Sequence, residues 1–302
     1  MHCNLVLQLN YINKVRRLGN GDYVMIENMR SSFITSAIVF LAMLACTVGH
    51  AETSNTTTIE KLLKASNIKA NGEYMRSQFL SLMKQPFDQD SNKKKALIIG
   101  DSYAQDFFNS VSENHYLKHY QIRTRYIPVR CQIFLGNESA RLINPKDKAF
   151  CDNSDTLAKA RVQIAEADLV VLVASWKEWS AKYLSQTIKN LAIDPQQKLV
   201  VLGKKSYGRV AIKKYLSLPD KELKLIRNIV DKGQMEVNQI LKDSLGENTF
   251  VDQHEMVCGK QKTCQIFTDK MELISFDGGH LTKEGARYTG KILFQNPILK
   301  NL

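Results

Sequence analysis

The sequence predicts an α/β fold in which a mostly parallel sheet is covered by helices on both faces. Short, continuous apolar runs occupy residues 96–99, 168–174 and 198–203. They lack the alternation of a half-exposed strand, so both faces of each strand are expected to be buried. Stretches with helical spacing of apolar residues lie between the runs. Strands that alternate with helices form parallel sheets.

The N-terminal region reads as a targeting segment. Arg30 precedes an apolar run over residues 33–48, and Gly49-His50-Ala51 follows with small residues at the first and third positions. A basic start, an apolar middle and a small-x-small end predict a signal peptide cleaved after Ala51. Residues 1–28 then represent an over-extended start. Two alternatives stay open: an uncleaved anchor, although the run is short for a membrane span, and lipidation at Cys46.

Residues 52–94 are predicted to be a polar linker followed by two short helices, which precede the main domain over residues 95–302. The helical spacing of apolar residues within 59–84 is interrupted by Asn71-Gly72, where we expect the helices to be separated.

The elements of the main domain follow from the same patterns. Gly100 bounds the first apolar strand, and a helix is expected from about Tyr103 to Glu113. In order along the chain we then predict a β-rich stretch at 121–129, the strand at 168–174, a helix over 179–191, the strand at 198–203, a long amphipathic helix over 221–245, a short strand at 249–252 and a final helix over 283–294.

Four cysteines follow the predicted signal peptide: Cys131, Cys151, Cys258 and Cys264. Four cysteines allow three disulfide connectivities. Pairing of sequence neighbours, 131 with 151 and 258 with 264, is the simplest of them and suits an oxidising compartment. Free buried thiols remain the alternative. A zinc site is disfavoured because the sequence has no Cys-x-x-Cys motif.

The formal net charge of +12 constrains the partners. A lysine-rich solvated surface accounts for such a charge, and attraction to anionic glycans or lipid headgroups is the alternative. No nucleic-acid-binding signature accompanies the charge, so we expect no nucleic-acid partner. No glycine-rich nucleotide motif follows a strand, so we expect no organic cofactor. We also expect no metal site.

Two short motifs carry the chemistry. Gly100-Asp101-Ser102 closes the first apolar strand, and Asp277-Gly278-Gly279-His280 precedes the last helix. Serine is a poor nucleophile unless an imidazole accepts its proton and a carboxylate orients that imidazole. Ser102, His280 and Asp277 supply these three groups in the order serine, aspartate, histidine. They are the predicted catalytic residues.

The position of Ser102 strengthens this interpretation. Ligands of open parallel sheets bind at the carboxyl ends of the strands, where Ser102 falls. The start of the following helix carries partial positive charge, which favours a developing oxyanion. The backbone N–H of Ser102 is therefore a candidate oxyanion donor.

Together these motifs resemble the SGNH (GDSL) hydrolase superfamily over residues 95–294. The C-terminal block reads Asp277-x-x-His280-Leu281-Thr282-x-x-Gly285. The chain is more narrowly similar to the extracytoplasmic SGNH domains associated with acyltransferase-3 proteins. Those domains carry a cysteine pair shortly before the Asp-x-x-His loop, which Cys258 and Cys264 match, and often a cysteine after the second strand, which Cys131 matches.

The resemblance implies a flavodoxin-like three-layer α/β/α sandwich and O-acyl chemistry on glycans. It implies that Ser102 is the nucleophile, that His280 is the general base and then acid, and that Asp277 orients the imidazole. The chain departs from the family pattern after the third strand, where Ser175-Trp176 stands in place of the usual asparagine. Gly136 is the candidate for the second-block glycine, and the candidate oxyanion or substrate contacts are Gly136, Ser175 and Trp176. Trp176 and Trp179 form either a sugar-stacking platform or buried packing.

The sequence thus predicts an exported, periplasmic serine O-acyltransferase or O-acetylesterase acting on a cell-envelope polysaccharide. A membrane acyltransferase is a candidate source of acyl groups. The main alternative is a glycan-binding protein that keeps the fold without turnover, which the replaced asparagine favours, because loss of one oxyanion donor typically costs about a hundredfold or more in rate. A lipid-active esterase is a third reading.

Overall fold

The computed structural model describes residues 58–138 and 142–302. The predicted signal peptide, its cleavage point and Cys46 lie outside the described residues. Among the described residues, no helix has the length and apolar character needed to cross a membrane.

A five-stranded parallel sheet in the order β2-β1-β3-β4-β6 lies at the centre of the domain that the described residues form. Its strands are β1 Lys94–Gly100, β2 Tyr120–Tyr126, β3 Leu169–Val173, β4 Lys198–Leu202 and β6 Phe250–Val251. The chain starts at an inner strand, moves to one edge and then crosses back to the other side, which is the flavodoxin-like order. The predicted α/β class and parallel sheet are confirmed.

Two cores lie on opposite faces of the sheet. Successive residues of a strand point to opposite faces, so Ala96 and Ile98 enter one cluster of buried side chains, whereas Leu97 and Ile99 enter the other. Helices cover both clusters, which produces the three-layer sandwich.

The main helices beside the sheet are α2 Ile68–Ser81, α3 Ser102–Glu113, α5 Leu157–Glu166, α6 Glu178–Lys182, α7 Leu184–Leu191, α10 Lys232–Leu245 and α12 Lys283–Leu293. Shorter ones are α1 at 58–65, α4 Lys148–Asn153, α8 Ile212–Tyr215, α9 Asp220–Leu223, α11 Gln253–Cys258 and α13 Pro297–Lys300. The predicted single helix over 179–191 is two helices, α6 and α7, separated at Tyr183.

The predicted break at Asn71-Gly72 is wrong, because both residues lie inside α2. The chain breaks instead between α1 and α2, where the side chain of Asn67 accepts a hydrogen bond from the Ala70 N–H and caps α2. Asparagine is among the best N-cap residues, because its oxygen satisfies a backbone donor that the first turn leaves free. The glycine interrupts the sequence pattern, but the packing of α2 holds it helical.

The predicted long helix over 221–245 is also wrong. Only α9 and α10 are helical there, and strand β5 (Arg227–Ile229) lies between them. β5 pairs antiparallel with β7 (Thr263–Gln265), so its backbone N–H and C=O groups bond to another strand and not within a helix. Asp231 then caps α10 through the Gly233 N–H. A distant segment therefore overrides the local helical pattern.

Two disulfides join the four described cysteines in the sequence-neighbour pairing. Cys131–Cys151 ties the loop after β2 to α4, and its sulfur atoms lie among the buried residues of one core. Cys258–Cys264 joins the end of α11 to β7 and belongs to the opposite core.

Candidate active site

Ser102 occupies a sharp corner between β1 and α3. β1 ends at Gly100, and a Cβ on this glycine would lie 1.7 Å from the carbonyl oxygen of Val173 in β3. Only glycine fits so close an approach. The side chain of Asp101 caps α3 by accepting the Tyr103 N–H at 2.9 Å. Ser102 is therefore the first residue of α3, where backbone donors have no acceptor within the helix.

The loop between Ser275 and Thr282 presents the imidazole of His280. One carboxylate oxygen of Asp277 accepts the backbone N–H groups of Gly279 and His280 at 2.9 and 2.8 Å. The Ser275 hydroxyl donates to the His280 carbonyl oxygen at 2.6 Å and accepts the Gly278 N–H at 2.9 Å. These bonds between side chains and backbone of the same loop hold it in a tight turn.

Thr282 ends the loop and starts the last helix. Its hydroxyl accepts the Gly285 N–H at 2.9 Å and so caps α12.

The structure brings Ser102, His280 and Asp277 together from opposite ends of the domain. His280 Nε2 lies 2.8 Å from Ser102 Oγ, and His280 Nδ1 lies 2.6 Å from Asp277 Oδ2. With the Nδ1 proton directed at the carboxylate, Nε2 is left to accept the hydroxyl proton. The three side chains have the connectivity of a Ser-His-Asp triad.

The charges around the triad favour a protonatable histidine beside an ionised aspartate. Burial lowers the pKa of His280, but the hydrogen bond with Asp277 and the charge of Asp106 outweigh it, so the pKa lies above its ordinary value. Burial opposes ionisation of Asp277 as well. The hydrogen bonds and charge from His280 nevertheless lower the pKa of Asp277 to about 2. The pair therefore favours the ion pair that forms when serine gives up its proton.

Asp101 joins the serine corner to the segment after β3. The side chain of Asp101 is buried, and its second oxygen accepts the Ser175 N–H at 2.8 Å. Burial raises the pKa of Asp101 to about 6, against the hydrogen bonds from the Tyr103 and Ser175 N–H groups. Ser175 is thus near Ser102, but its backbone N–H is already engaged by Asp101.

Trp176 does not offer a stacking surface, because its side chain is fully buried in the core and its Nε1–H donates to the Leu202 carbonyl oxygen at 2.8 Å. The interpretation of Trp176 as a substrate contact is therefore wrong. Trp179 is half-buried and packs edge-on against Phe134. The two tryptophans face different surroundings and form no common platform.

Gly136 lies in the loop after Cys131, where a Cβ would meet the side chains of Phe134 and Glu138, each at 2.7 Å. These contacts place it against its own loop. Its role as an oxyanion donor stays a prediction.

Three further residues beside the triad were missed by sequence reasoning. Tyr103 packs edge-on against the His280 ring, with centroids 5.9 Å apart. Asp106 and Lys205 form a buried ion pair at 2.7 Å. Asp106 could have been found, because it follows Ser102 by four residues and therefore shares its helix face. Lys205 lies beyond β4 and carries no such local signal.

Within residues 58–138 and 142–302, no cluster of three or more histidine, cysteine, aspartate or glutamate side chains has the arrangement to hold a metal ion.

Comparison with known proteins gives one family and a structural neighbour. The sequence model of the SGNH domain that is fused to AT3 domains matches residues 73–295. No curated protein sequence matches the chain significantly. Among solved structures, the periplasmic domain of a lipopolysaccharide acetyltransferase from Salmonella ser. Paratyphi A is similar, with a TM-score of 0.53 and 18% sequence identity. The match covers 78% of this chain and 96% of that domain.

Proposed function

The chain belongs to the family of SGNH domains that are fused to AT3 domains, and from this membership and the Ser-His-Asp geometry we propose that it is a serine O-acyltransferase or O-acetylesterase acting on a cell-envelope polysaccharide. Family membership supports an acyl-transfer or esterase function. The observation that carries the proposal is the 2.8 Å contact between Ser102 Oγ and His280 Nε2, with Asp277 on the far side of the imidazole.

In the first half-reaction, Ser102 Oγ attacks the carbonyl carbon of an acyl donor while its proton passes to His280 Nε2. Asp277 holds the imidazole in the required tautomer and stabilises the imidazolium. The negative charge that develops on the carbonyl oxygen is stabilised by the Ser102 N–H at the positive end of α3. His280 then protonates the leaving group, and an acyl-serine ester remains.

In the second half-reaction, His280 accepts a proton from an incoming hydroxyl, which attacks the carbonyl carbon of the acyl-serine ester. The bond between this carbon and Ser102 Oγ then breaks, and His280 returns the proton to Ser102 Oγ. If the hydroxyl belongs to a sugar, the acyl group is transferred. If it belongs to water, the ester is hydrolysed. The chemistry at the triad is the same in both cases, so access of water decides the outcome.

Two findings support the glycan substrate and the membrane partner. The structural neighbour is the periplasmic domain of a lipopolysaccharide acetyltransferase. The family is described by its fusion to AT3 domains, which favours a membrane acyltransferase as the source of acyl groups. The two disulfides favour an exported, periplasmic location, because disulfides persist in oxidising compartments.

A p-nitrophenyl acetate assay tests the catalytic proposal. We expect the purified protein to release p-nitrophenol at least about a thousandfold faster than Ser102→Ala, because the variant lacks the hydroxyl that forms the acyl-enzyme. Mass spectrometry should detect an added acetyl group on the unsubstituted protein alone. Equal rates in the two proteins would contradict the proposal.

The engaged Ser175 N–H favours one alternative, a glycan-binding protein without turnover, because the position of the family asparagine then offers no free backbone donor to an oxyanion. Glycan binding that survives Ser102→Ala, in a protein that forms no acyl-enzyme, would support this alternative.

A further inference from the structure

A buried ion pair lies between α3 and the loop that carries His280. Asp106 Oδ2 and Lys205 Nζ are 2.7 Å apart, and their side chains are 1% and 3% exposed. A buried pair costs solvation and persists where further hydrogen bonds satisfy both ions. The remaining partners of these two groups therefore indicate what the pair holds in place.

Both partners bind the backbone on either side of His280. Asp106 Oδ1 accepts the Leu281 N–H at 3.1 Å, and Lys205 Nζ donates to the Gly279 carbonyl oxygen. The residues immediately before and after the histidine are thus fixed by one ion pair. The loop's own hydrogen bonds, from Ser275 and Asp277, shape the turn but do not connect it to the helix of the nucleophile.

Tyr103 links the same pair to the imidazole. Lys205 Nζ lies 4.0 Å from the centroid of the Tyr103 ring, and the Tyr103 hydroxyl donates to the Lys205 carbonyl oxygen at 3.0 Å. The edge-on contact between the rings of Tyr103 and His280 limits how far the imidazole can turn. Lys205 is thereby held at both its backbone and its ammonium group.

Asp106 connects α3, the helix of Ser102, to the loop that carries His280. Asp106 follows Ser102 by four residues, so both side chains project from one face of α3. The helix that presents the nucleophile therefore also anchors the loop that presents the base. A shift of the loop relative to α3 must break the contacts of Asp106 or of Lys205.

We propose that Lys205 and Asp106 are positioning residues that hold His280 at proton-transfer distance from Ser102. The proposal deepens the proposed function and depends on it. Neither residue touches the reacting atoms, and both act through the backbone of the His280 loop. A displacement of the base by about 1 Å costs on the order of a hundredfold in rate.

The two charges of the pair also have opposite effects on the pKa of His280. The charged or titratable groups that face His280 are Asp277, Asp106, Lys205, Asp101 and the Tyr103 phenol. Among them, the negative charge of Asp106 raises the pKa of His280 and the positive charge of Lys205 lowers it. Replacement of one partner therefore moves the histidine pKa in the direction opposite to replacement of the other. This difference in sign reports the charges of the pair, whereas kcat reports the position of the base.

The test compares Lys205→Met and Asp106→Asn with a matched control, Arg125→Met. Arg125 forms a second buried pair with Asp155, at 3.2 Å, with side chains 9% and 3% exposed, and donates to the Lys159 carbonyl oxygen, away from the triad. The measurements are kcat and KM for p-nitrophenyl acetate from pH 5 to 9, and urea unfolding of each protein. Unfolding shows which variants are folded under the assay conditions.

We expect kcat of Lys205→Met to fall on the order of a hundredfold with KM little changed, since the loss falls on the transition state rather than on binding. The acid limb of the pH profile should move to higher pH in Lys205→Met and to lower pH in Asp106→Asn. Arg125→Met should lose stability and keep the kcat and pH profile of the unsubstituted protein.

A second readout is independent of turnover. In a Ser102→Ala background, NMR titration of the His280 ring should give a higher pKa with Lys205→Met and a lower pKa with Asp106→Asn. Unchanged kcat in folded Lys205→Met would overturn the positioning role. Shifts of the His280 pKa with the same sign in both variants would overturn the opposite effects assigned to the two charges. If the unsubstituted protein is no faster than Ser102→Ala, the proposed function fails instead, and the NMR titration alone decides on the ion pair.

Discussion

The two halves of the triad are held in place by different means. The corner at Gly100-Asp101-Ser102 is built into the sheet, because β1 pairs with β2 and β3 on either side and α3 starts directly at Ser102. The loop from Ser275 to Thr282 has no long strand to define it. Side chains of the loop and the buried Lys205–Asp106 pair hold it instead.

This difference separates stability from activity. Damage at the serine corner is expected to disturb the central sheet and therefore the whole domain. Damage at the histidine loop is expected to change the rate more than the free energy of unfolding, since the loop contributes geometry that the rest of the fold does not require. Such local regions of lower stability are common at functional sites.

The largest effect is expected from Asp277→Asn, which alters the loop chemistry and leaves the serine corner intact. We expect kcat to fall by about 10⁴-fold, because the amide no longer favours the correct imidazole tautomer or stabilises the imidazolium. Steady-state kinetics measure the change in kcat, and urea unfolding measures the change in the free energy of unfolding. A loss of stability without a loss of kcat would reverse the comparison.

The same variant has a pH signature. His280 must be neutral to accept the serine proton, and its pKa is raised, so the acid limb of the unsubstituted protein should lie at higher pH than for an ordinary histidine. Asp277 raises the pKa of His280, so Asp277→Asn should move this limb to lower pH. Movement to higher pH would contradict the assigned role of the carboxylate.

Two glycine substitutions compare the regions directly. Gly100→Ala would drive a Cβ into the Val173 carbonyl between two central strands, and we expect it to cost about 3 kcal/mol of unfolding free energy. Gly278 has a φ of +94°, and a Cβ there would lie 2.0 Å from the Gly208 carbonyl oxygen. We expect Gly278→Ala to cost about 1–3 kcal/mol and to reduce kcat on the order of a hundredfold.

The comparison depends on how Gly100→Ala and Gly278→Ala rank in unfolding free energy and in kcat. Urea unfolding and kcat of folded protein should rank the variants in opposite orders. If Gly278→Ala lowers stability more than Gly100→Ala does, the loop is part of the central framework and the comparison fails.

The smallest effects on kcat are expected from removal of the disulfides. By loop length, Cys131→Ser/Cys151→Ser should cost about 3 kcal/mol and Cys258→Ser/Cys264→Ser about 2 kcal/mol. Cys258 Sγ lies 3.8 Å from the carbonyl oxygen of Ser206, next to Lys205, so the second pair is closer to the support of the histidine loop. We therefore expect only its removal to reduce kcat, as measured on folded protein. Reduction of kcat by the first pair alone would contradict this assignment.

The local sequence was sufficient for the elements that bury both faces. β1, β3 and β4 were predicted because continuous apolar runs between polar segments have few other places in a folded domain. Elements that depend on pairing with a segment distant in sequence were not predicted. β5 was read as helix because its pairing with β7 involves a segment more than thirty residues away.

The candidate site divides along the same line. Ser102, Asp277 and His280 were predicted from motifs whose spacing is local. Trp176 was read as a substrate contact because the sequence does not reveal that its indole points into the core. Lys205 was missed because its role exists only after β4 returns the chain to the active-site edge.

The sequence by itself determined the alternation of strands and helices, the serine corner and the Asp-x-x-His turn, since each depends on residues that are neighbours along the chain. Only the tertiary structure decided that the hydroxyl and the imidazole meet at 2.8 Å and that a buried lysine and aspartate join their supports. The physical reason is that proton transfer depends on distances of a few tenths of an ångström. Packing between segments distant in sequence sets those distances.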